Sequence, residues 1–409
     1  MVEVKVISGG VTAPRGFKAS GVSCGIKGSG GKDLALIFSE VPAIAAAVFT
    51  TNKMAAPPVL ISKKHVQEGV AQAVVINSGN ANSCTGRRGI TNAIEMAKIT
   101  AGELTKNCLG RISPYQILLA STGIIGVPLP MEKLKRGIQN AVTSLSYDAH
   151  LDAAEAIMTT DSFPKEMAIE FKIRNKTLTL GGMTKGAGMI APNMATTLSV
   201  LTSDIRISHP CLKRALKKSV DKSFNMITVD GETSTNDMVV ILANGIAQNQ
   251  EVVEGSKDAL IFQEALDFLT QELAKMVVRD GEGATKFIEI IVRGGKSFED
   301  VKTIGMAVAN SNLVKTSFFG EDINWGRIIA SIGHSGAEIN PQDIDIYLGH
   351  HQIVRGSEGL PYDEGEIKDL LKDKEIRVTI DLNLGDSMAT VWTTDLSYDY
   401  VKINAAYKT

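Results

Sequence analysis

The sequence lacks the features that would point to a metal, a membrane or a nucleic acid. It has only four cysteines among 409 residues. Cys24, Cys84, Cys108 and Cys211 are far apart, with no CxxC pair, so neither a zinc site nor a disulfide framework is indicated. Isolated buried thiols in a reducing compartment are the expectation. The six histidines form no HExxH pair. His350 and His351 are neighbours, and in a strand they would point to opposite faces, which argues against a shared ion. The net charge is −2, with no excess of one sign, so there is no field to gather nucleic acid or an anionic membrane. Ala43 to Phe49 is the longest apolar run, far short of the roughly 20 residues that span a bilayer. Residues 1–30 carry neither a signal-peptide core nor an Arg-rich transit amphipath. A soluble cytoplasmic protein is expected, without a nucleic-acid or membrane partner.

What is present is globular: 44% of residues are apolar and 22% charged. Length alone suggests two or three domains of roughly 100–200 residues. The 38 glycines cluster, and several clusters close apolar runs. Ala73–Ile76 leads into Asn77-Ser-Gly-Asn80, and Phe287–Val292 into Arg293-Gly-Gly295; both read as buried strands that end in turns. From Ile376 to Leu384 apolar and polar residues alternate, as in a half-buried strand. Ser208 and Pro210 start a helix that carries Leu212, Leu216 and Val220 on one face, with Lys213, Arg214, Lys217 and Lys218 solvated. Phe262, Ala265, Leu266, Leu269 and Leu273 share a helix face between 258 and 277. No repeat, low-complexity tract or Pro/Ser-rich linker interrupts the chain. The fold class is therefore α+β, of the α/β sandwich type, with sheets covered by helices.

Two Gly-Lys stretches imitate phosphate loops. Arg293-Gly-Gly-Lys-Ser297 lacks the Gly that a P-loop needs at position 290 and has no strong helical start after it. Gly28-Ser-Gly-Gly-Lys32 fails the same spacing.

The chemistry is carried by Gly181-Gly-Met-Thr-Lys-Gly-Ala-Gly-Met-Ile-Ala-Pro-Asn-Met-Ala-Thr196. Its first half reads as a flexible Gly-rich stretch around one cation, Lys185, and a strand pattern begins at Thr197. A threonine after the small Ala195, at a loop-to-strand junction, could attack the Ala195 carbonyl through its hydroxyl. Hydrolysis of the resulting ester would leave Thr196 as a new terminus with its own amine as base.

The stretch Lys185–Thr196 resembles the processing and nucleophile motif of the ornithine acetyltransferase (glutamate N-acetyltransferase) family of arginine synthesis. Collinear segments resemble the same family: Val11–Phe17, Asn77–Asn82 with Cys84–Gly86, Ser121–Gly126, Met158–Asp161, Ile227–Gly231 with Thr233–Asp237, and Asn324–Arg327. Ile323, Met226 and Glu232 depart from the usual pattern, and none touches the nucleophile motif.

The resemblance implies self-cleavage between Ala195 and Thr196, into an α chain of residues 1–195 and a β chain of residues 196–409. It implies that Thr196 takes an acetyl group from N2-acetylornithine and passes it to glutamate by a ping-pong route. Thr122 and Gly123 would form the oxyanion hole. Thr159, Lys185, Thr196, Glu282, Asn404 and Thr409 would bind substrate. Lys185 suits an α-carboxylate, Glu282 suits the ornithine δ-ammonium, and Gly281 and Gly283 would let the backbone approach the ligand. No cofactor is implied, and the motifs leave open acetyl-CoA as a second donor. Two α and two β chains would assemble. The alternatives are a self-processed aminopeptidase or amidase, whose relatives carry Ser where this chain has Thr196, and a binding protein that is never cut.

Overall fold

The computed structural model describes residues 2–107, 110–191 and 197–406. Nine strands build the larger sheet: β1 (Val4–Ile7), β2 (Phe17–Val22), β3 (Leu34–Phe49), β4 (Val70–Asn80), β5 (Ile117–Ile124), β6 (Lys165–Ile173), β7 (Lys176–Lys185), β8 (Leu198–Ser203) and β9 (Met238–Ala243). Their order is β1-β6-β7-β8-β9-β3-β4-β5, with β2 also on β3. The 16-residue β3 can be so long because it changes neighbours along its length. Its first half pairs with β2 and its second half with β9, while its register against β4 shifts between Phe38 and Ala43. Such an irregularity bends a strand.

The pairs β4–β5 and β8–β9 are parallel. Both faces of a parallel pair must be covered, which explains why every residue of β8 and β9 is buried. Helices Gly86–Asn107 and Met131–Thr143 cover β3–β5 through Met96, Leu104, Leu134 and Ile138. Helices His209–Asp221 and Lys257–Arg279 cover the other end of the sheet, where Phe262 meets Phe171 with ring centroids 6.4 Å apart. Each such fully buried side chain is worth about 1.5–3 kcal/mol. A third core joins β3, β4, β5, β8 and β9 to the alanine-rich helix His150–Ile157.

Six strands form the second sheet: β10 (Phe287–Gly295), β11 (Asp345–Leu348), β12 (His351–Arg355), β13 (Glu358–Gly359), β14 (Glu375–Asp381) and β15 (Ser387–Thr394), in the order β13-β12-β11-β14-β10-β15. Its apolar face shares one core with Lys257–Arg279 and the larger sheet. The architecture is mixed α/β with helix-covered sheets, as expected. Strands from before and after residue 195 share one sheet, since β8 and β9 lie between β7 and β3. Among the described residues no helix is long and apolar enough to cross a membrane.

Both helices expected around 209–220 and 258–277 form, as His209–Asp221 and Lys257–Arg279, and the alternating run becomes β14. Three local expectations need correction. A helix does start after Ser297: Phe298–Ala309, with the Ser297 hydroxyl accepting from Asp300 N. The rings of His350 and His351 do not diverge but lie 4.0 Å apart, because His350 sits in the turn before β12. Among the described residues only Cys211 is a buried thiol; Cys24 is half-buried and Cys84 exposed, and Cys108 lies outside the described residues.

Candidate active site

The implied oxyanion turn closes the parallel pair β4–β5, where Ser78 faces Thr122 and Gly79 faces Gly123. Gly123 has φ +125°, and a Cβ there would run into the Gly79 backbone. Only glycine allows this approach. Buried amides fix the turn. Asn77 Nδ2 donates to Asn80 O at 2.8 Å, and the Ser121 hydroxyl donates to Asn77 Oδ1 at 2.6 Å. Asn236 Nδ2 donates to Ala81 O at 2.6 Å and to Ser121 O at 2.9 Å.

Gly181 to Lys185 are not a flexible stretch. They form the end of β7, paired with both β6 and β8. The glycines are there for packing: a Cβ on Gly181 would meet Gly10 O, and one on Gly182 would press on Leu201 and Leu273. Lys185 therefore leaves the edge of a rigid sheet. Its ammonium donates to Thr159 Oγ1 at 2.8 Å and to Thr122 Oγ1 at 3.3 Å.

Behind this cation lies Asp161. Its carboxylate accepts from Thr159 N at 2.8 Å, Gly186 N at 2.7 Å and Lys165 Nζ at 2.7 Å. Burial opposes its charge, but Lys185 and Lys165 overcome that and hold the Asp161 carboxyl down at about 2. Lys165 is fully buried and also pairs with Asp280. Asp280, at the C-terminal end of Lys257–Arg279, accepts in turn from Ser162 N at 2.9 Å. One buried acid–base chain thus sets the position of both Thr159 and Lys185.

The segment leading toward the implied cleavage bond is held by Asp230, which accepts from Met189 N at 2.7 Å and Ile190 N at 2.9 Å. Ala195 and Thr196 themselves lie outside the described residues, as does Thr409. Where the described chain resumes, Thr197 O accepts from Met238 N at 3.0 Å, and the Thr197 hydroxyl lies 2.9 Å from Ser199 Oγ.

Glu282 follows the helix Lys257–Arg279, and its N–H donates to Ala187 O at 2.9 Å. Its Oε2 accepts from Asn404 Nδ2 at 2.8 Å, on the C-terminal helix Tyr398–Ala406. Gly283 makes room for that helix rather than for a ligand, since a Cβ there would collide with Tyr400 N. A Cβ on Gly281 would press on Thr394.

Thr122, Gly123, Thr159, Lys185, Glu282 and Asn404 come from five parts of the chain, yet they line one pocket, with Thr197 in its wall. The pocket presents hydroxyls, an ammonium and a carboxylate, the set needed for a small zwitterionic molecule. The sequence reading missed the acids that organise it: Asp161, Asp230, Asp237 and Asp280. Asp161 and Asp230 stand in the motif segments already noted, beside Thr160 and Gly231, and Asp237 closes the Thr233–Asp237 segment, which was the available signal.

A family model described as the ArgJ family matches residues 18–409. The chain is similar to the arginine biosynthesis bifunctional protein ArgJ of Symbiobacterium thermophilum, with 49% identity over 98% of this chain and 99% of that protein. Its counterpart in Caldanaerobacter subterraneus is 47% identical over 99% of this chain and 100% of that protein. A crystal structure of the arginine biosynthesis bifunctional protein ArgJ from Bacillus halodurans is 42% identical, covers 50% of this chain and 97% of that one, and gives a TM-score of 0.49.

Proposed function

Since the chain belongs to the ArgJ family, we propose that it is an acetyltransferase of arginine biosynthesis that moves acetyl from N2-acetylornithine to glutamate. The observation that carries this reading is the convergence of Thr122, Gly123, Thr159, Lys185, Glu282 and Asn404 on one pocket beside Thr197.

In the proposed sequence the Thr196 hydroxyl first attacks the Ala195 carbonyl. The C–N bond breaks, the nitrogen leaves as the Thr196 amine, and water hydrolyses the ester. The freed hydroxyl then attacks the acetyl carbon of acetylornithine. Thr122 and the Gly123 N–H stabilise the oxyanion, worth about 10²–10³ in rate for each donor. Ornithine departs with the proton, and glutamate attacks the acetyl-threonine ester. Lys185 receives the α-carboxylate and Glu282 the δ-ammonium. The relatives are named bifunctional, which supports acetyl-CoA as a second acetyl donor at the same threonine. We further propose cytoplasmic α and β chains that stay associated as an α2β2 assembly.

Pre-steady-state assay tests the covalent route. With acetylornithine alone, ornithine should appear as a burst of one equivalent per site and then resume on addition of glutamate. Absence of the burst, or steady release of acetate without glutamate, would replace transfer by a ternary mechanism or by hydrolysis.

A further inference from the structure

Glutamate poses a problem that the pocket residues do not solve. Its distal group is a carboxylate, whereas that of acetylornithine is an ammonium. Glu282 attracts the second and repels the first, and Lys185 is occupied by the α-carboxylate in both half-reactions. A further cation, not already matched by an acid, is needed beside the pocket.

Two nearby lysines are already matched. Lys165 is buried between Asp161 and Asp280, and Lys32 is paired with Asp152 and Glu155. Lys27 is different. Among the described residues its ammonium donates only to Lys32 O, at 2.7 Å, and no carboxylate pairs with it. It is half-buried, in the connection between β2 and β3. The fully buried Asp33 fixes this connection, accepting from Cys24 N and Ile26 N at 2.6 Å and from Lys27 N at 3.1 Å.

The Lys27 stem packs on the oxyanion turn. A Cβ on Gly79 would come within 3.0 Å of Lys27 Cγ, and Gly79 faces Gly123 across β4–β5. Lys185 reaches the same turn through Thr122. Burial lowers the Lys27 ammonium from its ordinary value, Asp33 and Asp161 oppose that, and Lys185 adds repulsion. Like charges that act on one another in a half-buried place are unfavourable. A molecule with two carboxylates relieves both.

We propose that Lys27 is the residue that selects the acceptor: its ammonium leaves Lys32 O and binds the γ-carboxylate of glutamate, while Lys185 holds the α-carboxylate. This rests on the acetyl-transfer reading above. The flexible lysine stem lets the ammonium swing while Cγ stays against Gly79. A carboxylate gives a stronger, charge-assisted bond than a backbone carbonyl, which favours the exchange. The two substrates then share Lys185 and the oxyanion turn and part at their distal ends, the δ-ammonium toward Glu282 and the γ-carboxylate toward Lys27.

The experiment measures kcat/KM for each substrate with self-cleaved wild type, Lys27→Met and Lys27→Arg, and compares glutamate with glutamine as acceptor. In a ping-pong scheme kcat/KM reports each half-reaction by itself. Lys27→Met should lose about 10- to 100-fold for glutamate, with little change for acetylornithine. Glutamine has nearly the same shape but no distal charge. It should be the poorer acceptor for wild type by a similar factor, and Lys27→Met should erase that preference while Lys27→Arg keeps it. A merely structural loss would lower the values for both acceptors and for acetylornithine together. An undiminished preference for glutamate in Lys27→Met, or an equal loss for both acceptors, overturns the proposal. If the variants do not fold or cleave, wild type decides: a clear preference for glutamate supports the proposal, and equal use of glutamine overturns it. Exchange of label between ornithine and acetylornithine needs no glutamate and separates the two readings. A wild type that exchanges but fails the acceptor test loses only the Lys27 role, whereas one that neither exchanges nor transfers loses the acetyl-transfer reading itself.

Discussion

The Lys185 ammonium, at the end of a central strand, donates to Thr159 Oγ1 at 2.8 Å, and Asp161 accepts from the Thr159 backbone at 2.8 Å. Lys185 is thereby aimed by hydroxyls, and no carboxylate among the described residues bonds it directly. Its charge remains available to a substrate carboxylate. Lys185→Met should raise KM for both acetylornithine and glutamate by about 10- to 100-fold, the worth of a charge-assisted hydrogen bond. Steady-state kinetics with each substrate varied will show it, and unchanged KM values would remove Lys185 from carboxylate binding.

Gly123 should tolerate no side chain. Its φ of +125° and its contact with the Gly79 backbone mean that Gly123→Ala must move the oxyanion turn. We expect acetyl transfer to fall by about 10²–10³, the effect of losing one oxyanion donor. The loss should lie in kcat; a variant with normal kcat would place the oxyanion hole elsewhere.

Glu282 should discriminate between the two substrates. Its carboxylate is held by Asn404 Nδ2 at 2.8 Å. Glutamate has no distal ammonium, whereas acetylornithine has one. Glu282→Gln should therefore raise KM for acetylornithine about tenfold and leave that for glutamate nearly unchanged. Equal effects on both substrates would assign Glu282 to the framework.

Much of the architecture follows from local pattern. Alternation from Ile376 foretold β14, and helical spacing from Leu212 and from Phe262 foretold two helices with buried faces. Gly181 and Gly182 misled because glycine reads locally as a turn, while here it lets β7 approach Gly10 and the Leu273 side chain. The helix after Ser297 was signalled only by Ser297 and Asp300 in a capping arrangement. Within the site, the motifs identified the residues that face the pocket. They did not reveal the Asp280–Lys165–Asp161 chain, because Lys165 and Asp280 are 115 positions apart and meet only through tertiary packing.

That chain gives a pH signature. Asp161, held at about 2 by Lys185 and Lys165 against burial, is ionised in the folded protein well below the ordinary range of an unfolded aspartate, about 3.9. Its contribution is complete above that unfolded value and disappears as pH falls through about 2. Asp161→Asn should thus cost about 2 kcal/mol at pH 7, with the difference from wild type shrinking between roughly pH 4 and pH 2. Denaturant unfolding across that range measures it, and a pH-independent difference would mean that the loss is steric.

Everything in the scheme depends on the Ala195–Thr196 bond. The most direct measurement is the intact mass, under denaturing conditions, of purified wild type and Thr196→Ala, followed by an acetyl-transfer assay on both. The wild type should give two chains, one ending at Ala195 and one beginning at Thr196, and should transfer acetyl to glutamate. Thr196→Ala should remain a single inactive chain. An uncut wild type, or a Thr196→Ala protein that is cleaved or transfers acetyl, would contradict the account.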